Sequence, residues 1–170
     1  MTPPAAPDLE PLLAELREIA GAFKRDGWEA DVARADAFVE RLYDVGLALQ
    51  LDPALRERHA WRAFRDATAP QVASNAGGLI RYAHALDSRL HDTFELPDEW
   101  QRISRRRSAL AFLVALYAGT DLDEWRGDLE SDDLDEVLRY RCKTDGYVAP
   151  DDIPAGIPRS HWWWWCPNPD

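Results

Sequence analysis

Residues 109–118 read Ala-Leu-Ala-Phe-Leu-Val-Ala-Leu-Tyr-Ala and form the longest uninterrupted apolar run of the chain. These ten residues fall short of the roughly 20 that a helix needs to cross a bilayer. A helix that is apolar on every side has to be enclosed by other elements, so we predict a central buried helix here. Asp98 and Gln101 have the spacing of a capping box at its start, just after Leu-Pro at 96–97. Gly119 is the expected stop.

Apolar residues at helical spacing predict further amphipathic helices around the central one. The predicted ranges are 8–25, 29–49, 53–69, 79–91 and 131–141, with a shorter helical segment at 121–126. Asp8, Asp52 and Ser131 carry side chains that cap helix N-termini. We expect Pro70 to end the third helix because proline lacks an amide hydrogen, and the small residues 74–78 to form a break before the fourth.

The helical pattern ends near Lys143, and the rest of the chain is rich in proline and tryptophan. Five prolines lie at 150, 154, 158, 167 and 169, and four consecutive tryptophans at 162–165. We therefore predict an all-α fold in which residues 1–170 form a single-domain helical bundle of about five to seven helices. An irregular Pro/Trp-rich C-terminal strap at 143–170 should pack on the bundle, and residues 1–7 should be a disordered tail.

Four tryptophans in a row cannot all stay in water in a soluble monomer, because each carries about 150 to 250 Å² of mostly apolar surface. If the segment is extended, Trp162 and Trp164 point to one side, and Trp163 and Trp165 to the other. One pair can then close the helical core while the second faces a groove or a partner. We predict that the strap mainly seals the bundle and that Trp163 and Trp165 also contact a partner.

The formal net charge is −11, and one segment supplies most of the excess, with nine acids and one arginine between positions 121 and 136. An acidic surface suits a basic protein partner and argues against direct binding of nucleic acid, whose phosphates need Lys and Arg. The predicted partner-binding acids are Asp121, Asp123, Glu124, Asp128, Glu130, Asp132 and Asp133. The alternative is a solvated face that pairs with Arg102 and the arginines at 105–107 on the central helix.

The two cysteines, Cys142 and Cys166, are 24 positions apart and match no zinc or redox motif. Because disulfides are rare in the cytoplasm, we expect two reduced thiols in a cytoplasmic protein. The N-terminal residues have neither a basic region nor an apolar run of the kind found in signal peptides, which favours the same compartment. No membrane partner is expected.

His84, Asp87 and His91 would share one side of the fourth predicted helix and could begin a metal site. The recognised zinc signature, however, places two histidines four residues apart with a glutamate between them, so a solvated helix face is the favoured interpretation. No nucleophile motif or phosphate loop stands out either. We therefore predict no enzyme activity, no cofactor and no metal. The alternatives are a small metal-dependent enzyme that uses these three residues, or an adaptor that binds a peptide beside the tryptophans.

A compact, strongly acidic, all-helical chain with an aromatic C-terminal strap and no catalytic motif resembles the bacterial immunity proteins and antitoxin-like inhibitors that neutralise cognate toxins. The closing string Ile-Pro-x-Gly-Ile-Pro-x-Ser-His-Trp-Trp-Trp at 153–164 has the form of a family signature. The resemblance implies a non-enzymatic protein that occludes a basic toxin. Its acidic helical face would take the place of the phosphate backbone in the toxin's cleft.

Overall fold

The computed structural model describes residues 8–23, 28–92 and 98–168. Within these ranges the chain forms eight α-helices and no strand, which confirms the all-α helical bundle. The helices are α1 (Leu9–Gly21), α2 (Trp28–Leu51), α3 (Ala54–Glu57), α4 (His59–Ser74), α5 (Ala76–His91), α6 (Glu99–Leu116), α7 (Arg126–Leu129) and α8 (Asp132–Thr144). Three short 3₁₀ helices span Asp121–Trp125, Pro150–Asp152 and Trp162–Trp165. The predicted tail at 1–7 and the Leu-Pro pair at 96–97 lie outside the described residues.

The helix that contains the long apolar run, α6, lies at the centre of the fold as predicted. Leu110 and Leu113 have no exposed surface, and α6 packs against α2, α5, α7 and the last 3₁₀ helix. Its closest approach is to α2, where a β-carbon on Gly46 would lie 2.3 Å from the Phe112 ring. Only glycine fits at that crossing. No described helix is both long enough and apolar enough to cross a membrane.

Of the four predicted N-caps, two are confirmed by hydrogen bonds to backbone amides and one is wrong. The fourth, Asp52, accepts from the Ala54 amide at 3.1 Å but lies one residue before the cap position of α3, Pro53. Asp8 Oδ1 accepts from the Glu10 amide at 3.2 Å, and Ser131 Oγ accepts from the Leu134 amide at 3.2 Å. Asp98 makes no such bond, so the predicted capping box of α6 is absent. Its carboxylate instead accepts from Arg102 Nη2 at 2.7 Å, one turn along the helix.

The expected stop at Pro70 is also wrong, and the expected break at 74–78 is confirmed only at Asn75. Helix α4 runs through Pro70 to Ser74, and a single residue separates it from α5. Proline removes one helical hydrogen bond, but Pro70 is exposed and its neighbours Ala69 and Val72 are buried, so their packing outweighs the loss. The small residues at 74–78 serve close packing instead, since a β-carbon on Gly78 would lie 3.0 Å from Ala35 Cβ on α2.

Cys142 and Cys166 form a disulfide, which corrects the expectation of two reduced thiols. The last turn of α8 carries Cys142, and the strap returns to it directly after the tryptophans, so that the two Cα atoms are 5.3 Å apart. Both residues are buried. Sequence spacing alone could not reveal this pairing, because the return path of the strap brings the two residues together.

Candidate interaction surface

The acidic segment from Asp121 to Asp133 is held on the bundle by three buried leucines. Leu122, Leu129 and Leu134 are each at most 3% exposed, and they anchor the 3₁₀ helix Asp121–Trp125, α7 and α8. Between these anchors six of the predicted partner-binding acids are exposed: Asp121, Asp123, Glu124, Asp128, Asp132 and Asp133. The charges are therefore presented from a fixed frame.

Glu130, the seventh predicted acid, belongs to an internal ion-pair group and is not free for a partner. Arg107 of α6 has a side chain only 5% exposed and donates from Nη1 to Glu130 Oε1 at 3.0 Å. It also donates from Nε and Nη2 to the two carboxylate oxygens of Asp135, at 2.9 and 3.1 Å. Burial lowers the pKa of Arg107, but the hydrogen bonds and charges of these two acids outweigh that effect and raise it. Glu130 is therefore a structural residue, which corrects its predicted role.

The other arginines of α6 do not face the acidic segment as the alternative interpretation required. Arg105 pairs with Glu40 and Asp44 of α2, and Arg102 pairs with Asp98 at the start of its own helix. Arg106 likewise lies nearest Glu40, at 3.9 Å. Among the residues that the structure describes, none of the six exposed acids forms an ion pair. Asp123 Oδ2 accepts from the Gly119 backbone N–H at 2.7 Å, and the six charges are otherwise open to solvent or to a partner.

Two exposed aromatic side chains, one within the acidic segment and one two turns beyond Asp133 on α8, were not among the predicted partner-binding residues. Trp125, at the end of the 3₁₀ helix, is 39% exposed, and Tyr140 of α8 is 68% exposed. The buried positions of α8 recur every fourth residue, at Leu134, Leu138 and Cys142, and Tyr140 falls midway between the last two. This four-residue spacing of buried positions indicates that the Tyr140 side chain lies on the outer face of α8.

A groove of about 370 Å³ runs beside Tyr140, between the ends of α5 and α8. Leu90 and Val137 form its floor, while His91, Glu136 and Arg141 provide polar atoms. Tyrosine and tryptophan are enriched at the energetic centres of protein interfaces, and acids around them complement a basic partner. The acidic segment thus combines charge with apolar contact points.

The four tryptophans form a 3₁₀ helix, so the alternating arrangement expected for an extended segment is wrong. Trp163 and Trp164 are buried, at 3% and 1% exposure, whereas Trp162 and Trp165 are half-buried. With three residues per turn, adjacent side chains need not point to opposite sides. Trp163 is therefore a packing residue and is not available to a partner, which corrects its predicted role.

The buried tryptophans are tied to α6 through Ser108. Trp163 Nε1 donates to Ser108 Oγ at 3.0 Å, and Trp164 Nε1 donates to the same oxygen at 2.8 Å. His161 Nδ1 lies 2.9 Å from that hydroxyl, and Trp100 Nε1 donates to the Trp163 carbonyl at 3.0 Å. Burial, and secondarily the charge of Arg107, lowers the pKa of His161 to about 4.

A serine hydroxyl beside a histidine can act as a nucleophile and base, but this pair has neither access nor a free oxygen lone pair. Ser108 has no exposed surface, and its oxygen already accepts two indole hydrogens. Its own hydrogen is then left for His161 Nδ1, which must be the unprotonated ring nitrogen. The geometry makes the pair part of the packing between strap and bundle.

The three residues of the metal alternative are not assembled into a ligand set. His84 and His91 are exposed, and His91 Nε2 lies 3.7 Å from Asp87 Oδ1. His84 and Asp87 line a cleft of about 240 Å³ that they share with Asp128 and Asp133. Within the described ranges, no group of three or more histidine, cysteine or acidic side chains is placed to hold a metal ion.

Comparison of the chain with protein-family models, with curated proteins and with solved structures finds no match. The function is therefore inferred from the charge, the exposed aromatics and the cavities of the molecule itself.

Proposed function

We propose that this chain is a non-enzymatic acidic binding protein that covers the basic surface of a protein partner. The observation that carries the proposal is the group of six exposed acids without an ion pair in the described part of the chain, held in place by buried leucines. A negative surface of this kind attracts a positively charged partner over long range and favours its correct orientation. Neither nucleic acid nor a membrane shares that complementarity.

The partner we propose is a cognate toxin, and the protein is its immunity protein. A toxin that attacks nucleic acid needs a basic cleft for the phosphate backbone. The acids of the 3₁₀ helix and α7 can occupy such a cleft, and Trp125 and Tyr140 can add apolar contacts at its edge. Neutralisation would then be occlusion, which requires no catalytic group on this chain. If the neighbouring gene encoded a large protein with the architecture of a secreted toxin, that would support the proposal. A position within a metabolic operon would contradict it.

The compartment is part of the proposal. The expectation of a cytoplasmic protein rested on two reduced thiols, whereas the Cys142–Cys166 disulfide favours an oxidising compartment. Thiol trapping in freshly acid-quenched cells separates the two. If the cysteines react with an alkylating reagent only after reduction, the disulfide is present in the cell, and that result would argue against a cytoplasmic location.

Charge reversal within the acidic segment tests the proposal. The variant Asp121→Lys, Glu124→Lys, Asp128→Lys changes exposed acids only and leaves both acids that pair with Arg107. We expect the unchanged chain to retain a basic protein from source-cell extract at low salt. The variant should fold normally but should no longer retain that protein. Asp132 and Asp133 stay unchanged because acids in the first turn stabilise α8.

The matched control moves the same three charges to another part of the surface. Glu10 and Glu18 on α1 and Asp151 after the bundle are exposed acids, and none of them forms an ion pair among the described residues. Their replacement by lysine should leave the partner bound, because net charge is equal in the two variants and only its position differs. Equal loss in both variants would reduce the effect to overall charge and would refute a specific acidic surface.

A further inference from the structure

A cavity lies in the strap, away from the acidic segment. It has a volume of about 720 Å³, within the range of about 300 to 1,000 Å³ that is typical of small-molecule sites. Its apolar lining consists of Tyr147, Val148, Pro150, Ile153, Trp165 and Pro167. Aromatic and proline rings thus dominate the wall.

Among the residues that the structure describes, Arg159 supplies the one charged side chain of the cavity lining. The Arg159 guanidinium carbon lies 4.5 Å from the centre of the Trp165 ring, and Asn168 also lines the cavity. Arg159 forms no ion pair within the described part of the chain. A guanidinium has five hydrogen-bond donors in a planar fork that matches a carboxylate, and the indole face holds that fork in one orientation. In a protein of net charge −11, a single cation in an aromatic cavity selects for an anion.

The walls are fixed before any ligand arrives. Cys166 is tied to α8 by the disulfide, and the neighbouring Trp164 is held by Ser108. The backbone N–H of Asn168 donates to the Trp165 carbonyl at 3.0 Å, which closes the turn on one side of the cavity. A site that is already ordered loses little entropy when a ligand binds.

We propose that this cavity binds a small aromatic carboxylate. The carboxylate pairs with Arg159, and the ring system packs among Trp165, Tyr147 and Pro150. The inference is independent of the acidic surface, because no residue of the cavity belongs to the acidic segment. A proline-rich or apolar peptide, which an adaptor would take, is the competing occupant.

Titration with 2-naphthoate, monitored by calorimetry and by ligand-observed NMR, tests the site on the full chain. We expect saturable binding of one equivalent and at least a tenfold weaker response to 2-naphthamide, which has the same rings and no charge. Arg159→Gln should weaken naphthoate binding about tenfold or more, the usual size of a lost charged hydrogen bond, and should leave naphthamide unchanged. Tyr147→Ser should weaken both ligands, because Tyr147 is 61% exposed and its loss removes only wall area.

Arg139→Gln is the matched control. Arg139 makes the same kind of contact, with its guanidinium carbon 4.4 Å from the centre of the Trp162 ring, but it does not line the cavity. Naphthoate affinity should stay the same in this variant. Absence of saturable binding, equal affinity for acid and amide, or equal loss in the two arginine variants would overturn the proposal. Binding of an apolar peptide in place of naphthoate would overturn it in favour of the adaptor.

Discussion

Ser108 shows how one hydroxyl can determine the protonation state of its neighbours. Two indole N–H groups donate to its oxygen, and its hydrogen goes to His161 Nδ1. If His161 took up a proton, Nδ1 would also become a donor, and the Ser108 oxygen could not accept from all three nitrogens. Among the described residues, only Trp163 Nε1 has a second acceptor, the Ser104 carbonyl at 3.1 Å. Arg107, packed over the Trp163 ring at 4.6 Å, adds a second positive charge nearby. The neutral imidazole is therefore built into the contact between strap and bundle.

This arrangement predicts loss of stability in mild acid. The pKa of His161 falls from 6.5 to about 4 on folding, so between these pH values the unfolded chain binds more protons than the folded one. The free energy of unfolding should be fully retained above pH 6.5 and should decrease by about 3 kcal/mol as the pH falls to 4. Urea unfolding at a series of pH values measures it.

The control is His161→Phe, which keeps a ring in place and cannot be protonated. This variant starts from a lower stability, because Ser108 loses its acceptor, but it should lack the contribution to the pH slope that comes from His161. Carboxylates titrate in both proteins, so the difference between the two slopes isolates the imidazole. Identical slopes would show that His161 is not held neutral.

At the scale of elements, the helices could be predicted where local pattern and packing agree. The period of apolar residues located α1, α2, α6 and α8, and Asp8 and Ser131 were correct caps. The errors occur where tertiary contacts override local preference. Helix α4 continues through Pro70 because residues on both sides are buried, and Asp98 binds Arg102 in place of the backbone.

The candidate site was predictable in part for the same reason. Acidic side chains tend to stay on the surface, and six of the seven predicted acids are exposed, while their contact with a partner stays a prediction. Glu130 differs because a buried arginine, Arg107, reaches it from another helix. Trp163 differs because the strap adopts a 3₁₀ helix, and nothing in four identical side chains indicates which of them turns inward. Such assignments depend on contacts between residues far apart in sequence.

The strap predicts a measurable contribution from its disulfide. Cys142 and Cys166 enclose a loop with a sequence separation of 24, and closing such a loop in the unfolded chain stabilises the fold by about 3 kcal/mol. The double variant Cys142→Ser, Cys166→Ser should therefore unfold at a lower temperature by calorimetry. Part of the loss comes from the buried hydroxyls, since both positions are at most 3% exposed.

Reduction of the unchanged protein separates these two effects. Incubation with a reductant under partly denaturing conditions breaks the bond without adding hydroxyl groups, so the loss that remains belongs to the cross-link. Cys142→Ala, Cys166→Ala serves as a second reference of small apolar side chains. If neither treatment changes the melting temperature, the strap is held by Trp163, Trp164 and their hydrogen bonds alone.

At the scale of the whole molecule, ion pairs between helices are concentrated on one side of the bundle, away from the acidic segment. Glu15, Arg41, Asp44 and Arg105 link α1, α2 and α6 in one chain of ion pairs. Such exposed pairs contribute little individually, but they neutralise that side of the bundle. The segment 121–133 lacks a comparable set of arginines, because the arginines of α6 are directed elsewhere or, like Arg107, already carry two acids.

Because the exposed acids act at long range and the exposed aromatic side chains act only on contact, we predict that the acids set the association rate of the partner and the aromatic residues its dissociation rate. Exposed charges act before contact, over a Debye length of about 8 Å at physiological salt, and so set the association rate. The Asp121, Glu124, Asp128 triple lysine variant should associate about tenfold more slowly at low salt, and the difference should vanish at high salt. Trp125→Ala and Tyr140→Ala should leave association unchanged and raise the dissociation rate about tenfold, as hot-spot side chains do.

Surface plasmon resonance with the purified partner, across a salt series, measures both constants. The variant Glu10→Lys, Glu18→Lys, Asp151→Lys is the control for charge, and Tyr147→Ala, exposed on the strap, is the control for an aromatic outside the acidic segment. If Tyr147→Ala raised the dissociation rate and Tyr140→Ala did not, the interface would lie on the strap. An association rate that does not change with salt would mean that the acids are only a solvated face, because screening of the charges must slow a partner that is attracted by them.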